Sequence, residues 1–311
     1  MPLPPLESVP VLVTGGAGFI GSHLVNGLVR RGARVRVLDN LSSSRYPTVA
    51  DAEMLRGDVR SADDCAAACA GVELVFHLAA QVSVEASLAA PAETFEINAM
   101  GAARVFAAAR EAGVRRVVNI SSSAVYGNST GVPAREGAEG RPLSPYASSK
   151  AAAELQAHAV WSALGQEIVS LRFFNVYGPG QNPQGPYAAV IPRFVAAARL
   201  GAPCTIHGDG LQTRDFVHVD DVVEACLLAA GAPREASGRA INIGSGVAVS
   251  VVELAATVRR LFGGPAAVHG PARDGEVRDS IADTGLAERL LGFRSQIDLV
   301  EGLQRTYESI P

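Results

Sequence analysis

Short apolar runs alternate with longer helical stretches along most of this chain. VPVLVTG (9–15) is apolar and ends in glycines, and an apolar repeat of three to four residues follows it to about Arg31. ARVRVLDN (33–40) alternates with a period of two. VELVFHLAA (72–80) and RRVVNISSS (115–123) are further β runs, each preceded by an alanine-rich helical stretch. EIVSLRFFNVYG (167–178) predicts another strand, and AINIGSG (240–246) one more. Strands separated by helices of this length predict βαβ units and hence an α/β fold, a doubly wound parallel sheet covered on both faces. After about Asn175 the pattern loosens into Gly/Pro-rich loops such as YGPGQNPQGPY. A smaller lobe of discontinuous pieces is expected there. The sheet domain then takes 1–175, with 213–245 returning to it, and the lobe takes 176–212 and 246–311.

Composition narrows the classes without choosing a chemistry. With 48% hydrophobic and 19% charged residues the chain is expected to fold. A net charge of −4 gives no footprint for nucleic acid. No apolar run is long enough to span a bilayer, and MPLPPLESVP lacks the basic and apolar segments of a secretory signal, so a cytoplasmic enzyme is expected. Cys65, Cys69, Cys204 and Cys226 form no CxxC pair and are expected as buried thiols. His77, in an apolar run, reads as a hydrogen-bonded core residue. His218 stands beside Asp220 and Asp221, which read as a helix start with the aspartates capping free N–H groups. No cluster has metal-ligand spacing, so no metal is expected.

The first candidate chemistry is TGGAGFIG, which supplies Gly15, Gly18 and Gly21 at the end of one predicted strand and the start of a helix. Glycines there let backbone N–H groups approach a pyrophosphate at the positive end of the helix. Asp39, 18 residues beyond Gly21, ends the second strand and is placed to accept ribose hydroxyls. Its carboxylate repels a 2′-phosphate, so NAD is expected in preference to NADP. In RGDV, Asp58 and Val59 stand where an adenine edge can sit, although an Asp at a strand end also serves as a helix cap.

The second is the chain's only lysine. All the other 26 Lys/Arg residues are arginine, yet Lys150 stands four residues after Tyr146 in SPYASSKAAAELQAHAV. On a helix those two side chains share a face. A phenol near its ordinary pKa of about 10 is a poor base at neutral pH. An ammonium one turn away is expected to lower that pKa while donating hydrogen bonds to a cofactor ribose. Upstream, NISSSAVYG ends a strand at the edge of the sheet where ligands bind in such folds, so one hydroxyl among Ser121, Ser122 and Ser123 is a candidate for holding a substrate oxygen.

Together the glycine motif, HLAA, SSSAVYG, Y-x-x-x-K, RFFNVYGPGQ, RDFVHVDDV and NIGSG resemble the extended short-chain dehydrogenase/reductases, and more narrowly the UDP-glucose (UDP-galactose) 4-epimerases and their UDP-N-acetylhexosamine relatives. The resemblance covers nearly the whole chain. It implies a Rossmann domain that holds NAD and a C-terminal lobe that binds the nucleotide-sugar. It makes Ser122, Tyr146 and Lys150 the catalytic set. Around the cofactor it implies Phe19, Ile20, Asn40, Leu78, Ala79, Ala80, Asn98 and Ser121, with the glycines, Asp39, Asp58, Val59, Tyr146 and Lys150. Around the UDP-sugar it implies Ser122, Ser123, Tyr146, Asn175, Val190 in YAAVIPRF, Arg214, Arg273 and Glu276, the last where the family often has Asp. Ser280 corresponds to the position that controls access of an N-acetyl group. The implied reaction removes the 4-hydroxyl proton through Tyr146, passes hydride from C4 to NAD, and returns it to the other face of the keto sugar.

Other chemistries are weighed on the same residues. Relatives that dehydrate carry Asp-Glu directly after the catalytic Ser/Thr, and this chain has Ser123 and Ala124 there. A UDP-glucuronate 4-epimerase is the alternative, although GPGQNPQG offers no Arg for a carboxylate. A non-catalytic NAD sensor would have little use for the Tyr–Lys pair. Relatives pair as homodimers through two helices, and the alanine-rich stretches ETFEINAMGAARVFAAAR and ASSKAAAELQAHAV fit that arrangement.

Overall fold

The computed structural model describes residues 6–42, 51–127, 131–184, 188–272 and 277–310. Seven strands build one parallel sheet: β1 (Pro10–Thr14), β2 (Arg34–Asp39), β3 (Glu53–Arg56), β4 (Leu74–His77), β5 (Arg116–Ser122), β6 (Glu167–Phe173) and, far along the chain, the strand Ala240–Ile243. Among the described residues, six more strands of two to six residues lie outside it. In chain order these are β7 (Asn175–Tyr177), β8 (Thr205–His207), β9 (Thr213–His218), then, with Ala240–Ile243 as β10, β11 (Ala248–Ser250), β12 (Val268–Gly270) and β13 (Asp279–Ser280). The large sheet runs β3-β2-β1-β4-β5-β6-β10. That order reverses direction between β1 and β4, which is where ligands sit in doubly wound folds, beyond the carboxyl ends of the strands.

Helices cover both faces. α1 (Phe19–Val29) lies on one side, and α2 (Ala62–Cys69) on the other. Short α3 (Val84–Ala89) and α4 (Pro91–Phe95) lead through a π-turn, Glu96–Met100, into α5 (Gly101–Glu111). Then come α6 (Pro145–Leu164), α7 (Val190–Arg199), α8 (Val219–Ala230), α9 (Val251–Phe262), α10 (Gly285–Leu291) and α11 (Leu299–Glu308). Leu24, Val25 and Leu28 of α1 pack with Val222 and Cys226 of α8 and Leu291 of α10 on one face of the sheet. Cys65 and Cys69 of α2, Phe106 of α5 and Ala153 of α6 pack on the other. Both thiols are buried, which pushes them up to about 11 and about 12. Strands covered twice need apolar residues on both faces, which is why β4 and β5 read as continuous runs rather than alternations. None of the helices formed by the described residues is long and apolar enough to cross a membrane.

A second core belongs to the smaller lobe. Tyr177, Phe194, Ile206, Phe216, Leu254 and Leu303 close it between α7, α9, α11 and the short strands. The predicted strand 167–178 is here two strands. Phe174 is buried and its N–H donates to Ile243 O at 3.0 Å, and beyond it β7 leaves the large sheet to pair with β9. The segment 213–245 is likewise divided: β9 pairs with β7, β11 and β13 in the small sheet, while α8 and β10 lie with the large one. α10 also packs on the large sheet's core. The expected capping of α8 is corrected: His218 itself caps, its Nδ1 accepting from Asp220 N at 3.2 Å. Asp221 instead accepts from Ser295 Oγ and from the N–H groups of Gln296 and Ile297.

Candidate active site

The glycine turn is tight by construction. Gly15 has φ +70°, and a Cβ there would lie 2.7 Å from Ala79 N, so the ends of β1 and β4 touch through a glycine. A Cβ on Gly21 would come within 2.1 Å of Gly15 O, which explains the third glycine as helix-to-turn contact. A Cβ on Gly18 would meet only Gly15 O, at 3.3 Å. Gly18 is the N-cap of α1 with no capping side chain and no acidic residue in the first turn, so the helix presents its positive end beside that glycine. Phe19 and Ile20 open the helix, half-buried. At the end of β2 the Asp39 carboxylate accepts from Ala17 N at 3.0 Å and Leu41 N at 2.8 Å, fixed against the turn. Asn40 donates to Asp58 at 2.9 Å, and Arg60 clamps Asp58 from its other side, holding that carboxyl well below the usual range. Val59 turns its side chain into the core, and Ser61 rather than Asp58 caps α2. Leu78, Ala79 and Ala80 follow β4, half-buried, with Ala79 N on the Thr14 hydroxyl at 3.2 Å.

His77 is a core residue: its Nδ1 pairs with Thr14 Oγ1 at 2.8 Å, and burial pushes it down to about 3, so it stays neutral.

Across the sheet edge, Ser144 accepts from Ala147 N and Pro145 occupies the first helical turn, which fixes where α6 begins. Tyr146 therefore sits in the first turn and Lys150 one turn later. Lys150 is buried, and its Nζ donates to Ile120 O at 2.9 Å. Burial pushes its pKa down to about 8, opposed by the charge of Glu154. The Tyr146 phenol is pushed up by burial, and its hydrogen bond with Ser122 pulls it back only in part. The direction is thus opposite to the expected lowering: loss of water around the phenol dominates, and Ser122 is what opposes it. Ser122 ends β5 and also accepts from Ala124 N at 3.2 Å, which holds the short 3-10 turn Ser123–Tyr126.

Two expected cofactor residues are engaged within the protein. Asn98, on the π-turn, exchanges bonds with the backbone of Gln81 at 2.8 and 2.9 Å and donates to Ser149 Oγ at 2.9 Å. Ser121 donates to Glu154 Oε1 at 2.5 Å. Both side chains are buried against these partners.

In the smaller lobe, Asn175 Nδ2 donates to Asp215 O at 3.2 Å, tying β7 to β9. Arg214, half-buried on β9, donates to Thr213 O at 2.8 Å, and β13 places Ser280 opposite it in register. Val190 opens α7. Arg273, Glu276 and the first residue of YAAVIPRF lie outside the described residues. Pattern reasoning missed Asp215, fully buried, which accepts from Ser245 N and Oγ, Gly246 N and Ala282 N. It also missed Glu154 and Arg172 beside the end of β5. Glu154 had a signal, one more turn beyond Lys150; Arg172 had none.

A cradle where only glycine fits, an uncapped helix start and a fixed carboxylate at the next strand fit a dinucleotide such as NAD. Fold and cradle together define a dinucleotide-binding α/β protein that brings Ser122, Tyr146 and Lys150 to one edge of its large sheet. The chain belongs to the NAD dependent epimerase/dehydratase family, whose model matches residues 11–244. It is 39% identical to a UDP-glucose 4-epimerase of Mycolicibacterium smegmatis, covering 96% of this chain and 97% of the relative. Its fold superposes with TM-score 0.92 on a UDP-N-acetylglucosamine 4-epimerase from Methanobrevibacter ruminantium in complex with UDP-N-acetylmuramic acid, at 33% identity over 97% of this chain and 98% of that one. MoeE5, solved with UDP-glucuronic acid and NAD, is 41% identical, with TM-score 0.86 over 96% and 98% of the two chains.

Proposed function

We propose that this chain is a UDP-hexose 4-epimerase that interconverts UDP-glucose and UDP-galactose, with the sugar seated between the end of β5 and the smaller lobe. The observation that carries this reading is the hydrogen-bonded Ser122–Tyr146 pair one helical turn from Lys150, with no carboxylate in the adjoining turn Ser123–Tyr126. Removing water at a neighbouring sugar carbon would need such an acid or base.

Bound in the glycine cradle, NAD supplies a reversible acceptor for the C4 hydrogen, so the sugar is oxidised and reduced with no net change. Tyr146 takes the 4-hydroxyl proton and later returns it. Ser122 holds that oxygen while its charge changes. Because burial raises the phenol, its ionisation needs a positive neighbour, a part assigned to the Lys150 ammonium one helical turn away. Asp39 receives the ribose, and Asn175, Val190, Arg214, Arg273 and Glu276 are assigned to the nucleotide-sugar on family resemblance. Ser280, beside Arg214, leaves room at the sugar for an acetamido group, so UDP-N-acetylglucosamine is a second expected substrate. Exposed Val84 and Leu88 on α3, Phe95 on α4 and Leu155 on α6 support a homodimer through this helical face.

A second reading, a UDP-glucuronate 4-epimerase, is favoured by the likeness to MoeE5. The deciding experiment incubates the purified protein with UDP-glucose, UDP-N-acetylglucosamine and UDP-glucuronate without added cofactor and measures each 4-epimer. Conversion of UDP-glucose is expected; conversion of UDP-glucuronate alone selects the second reading. Stoichiometric NADH accumulation overturns both.

A further inference from the structure

Beneath the Tyr146–Lys150 pair lies a buried ionic knot that the proposed reaction does not itself use. Helix α6 touches the end of β5 at two successive turns. Lys150 Nζ donates to Ile120 O at 2.9 Å, and one turn on, Glu154 Oε1 accepts from the hydroxyl of the next strand residue, Ser121, at 2.5 Å. Glu154 is in turn held by Arg172, which stands directly across from Ser121 on β6: Nε reaches Oε1 at 2.9 Å and Nη2 reaches Oε2 at 2.6 Å. The Glu154 side chain is 10% exposed and that of Arg172 5%. Arg172 also donates to Tyr126 Oη at 3.0 Å and pairs with Glu139, so its far side is anchored as well. The geometry is a ladder: strand, helix and neighbouring strand fastened at one level by a carboxylate.

A carboxylate this deep is retained at a cost in desolvation, and a bidentate guanidinium keeps it ionised. Ordinary packing would be served as well by a leucine. We propose that Glu154 is a positioning residue, clamping the end of β5 to α6 so that Ser122 keeps its spacing from Tyr146 and Lys150. This rests on the reading that Tyr146 and Lys150 perform the acid–base work. The clamp also has an electrical side. Lys150 is faced by Tyr146 and Glu154 from its own helix, by the Ile120 carbonyl from β5 and by His77 from β4. Of these only Glu154 brings a negative charge that favours the ammonium.

The sole lysine makes the test direct. Protein grown with 13Cε-lysine carries one labelled side chain, whose signal reports the protonation of Lys150 without any substrate turnover. In Glu154→Gln the midpoint is expected to fall by about one pH unit relative to wild type. With UDP-glucose, kcat is expected to drop about tenfold or more at little changed KM, since misplacement of catalytic groups acts on the reaction step. Glu154→Asp, which restores the charge, is expected to return the lysine midpoint towards wild type. An unchanged midpoint in a folded Glu154→Gln protein overturns the proposal. Should that variant fail to fold, Ser121→Ala removes only the strand contact: a drop in kcat supports the clamp, and wild-type kcat overturns it. Wild-type protein inactive on every UDP-sugar would defeat the proposed reaction, while the lysine titration would still judge the clamp.

Discussion

Two aspartates at comparable depth show how differently the two parts of this molecule are held. Asp39 closes β2 with two backbone donors, from Ala17 and Leu41, both in or beside the strand ends that form the cofactor cradle. Asp215 lies in the middle of β9 and gathers donors from Ser245, Gly246 and Ala282, 30 to 67 residues away. The first fixes the end of β2 against the glycine turn; the second rivets three distant segments where the small sheet meets the end of β10. The large sheet hardly needs such a rivet, since its seven strands bury two apolar faces. The small lobe's strands, two to six residues long, lean on polar fastening as well as on their core.

Removing the rivet is therefore expected to have the largest effect. Asp215→Ala strands several buried donors, each costing about 1–3 kcal/mol, for a total of about 3–6 kcal/mol in stability. Urea unfolding followed by circular dichroism measures it; a loss under about 1 kcal/mol would erase the contrast. Tyr146→Phe is the counterpart in the other region. It is expected to leave unfolding unchanged and retain NAD, while turnover of UDP-glucose falls at least about a hundredfold. Near-normal turnover would remove Tyr146 from the centre.

A pH experiment sharpens the same contrast within the large sheet. Burial pushes His77 down to about 3 in the folded protein, from about 6.5 in the unfolded chain. Between those values the unfolded chain binds the extra proton, so stability falls as pH drops, by about 1.4 kcal/mol per pH unit from this one group. His77→Gln, compared with wild type by urea midpoints at pH 6 and 5, should show a shallower decline; equal slopes would show that His77 is not responsible. The smallest effect belongs to the lobe. Ser280→Tyr is expected to reduce kcat/KM for UDP-N-acetylglucosamine about tenfold relative to UDP-glucose. Equal loss on both sugars would mean Ser280 is not the gate.

The contrast also explains what could be read from sequence. The glycine turn, Asp39 and the Tyr146–Lys150 spacing are local patterns, each set by neighbours within one βα unit, and the period-two and period-three-to-four runs announced the large sheet. Asp215, Arg172 and the split of 167–178 at Phe174 depend on partners far along the chain, so no window of sequence carries them. The His218 cap shows a subtler failure. Aspartates in a first helical turn look like caps, yet the imidazole two residues before the first of them holds that place. Burial also reversed an electrostatic expectation, because a phenol's loss of water is invisible in spacing alone.

The π-turn at Glu96–Met100 has a consequence for how this chain tolerates changes in length. An α-helix advances about 100° per residue, and a wider turn absorbs one residue that a regular helix would have to spread around its axis. α5 therefore continues α4 in space, with its sequence pattern shifted by one residue. Asn98 can meet Gln81 and Ser149 while Val105 and Phe106 still face the core. Deleting a single residue at this turn would let it close into a regular helical turn with both faces kept, whereas a deletion inside α5 would swing the rest of its core face by about 100°. Substitution tests identity; deletion tests count, and this turn is where the count has slack.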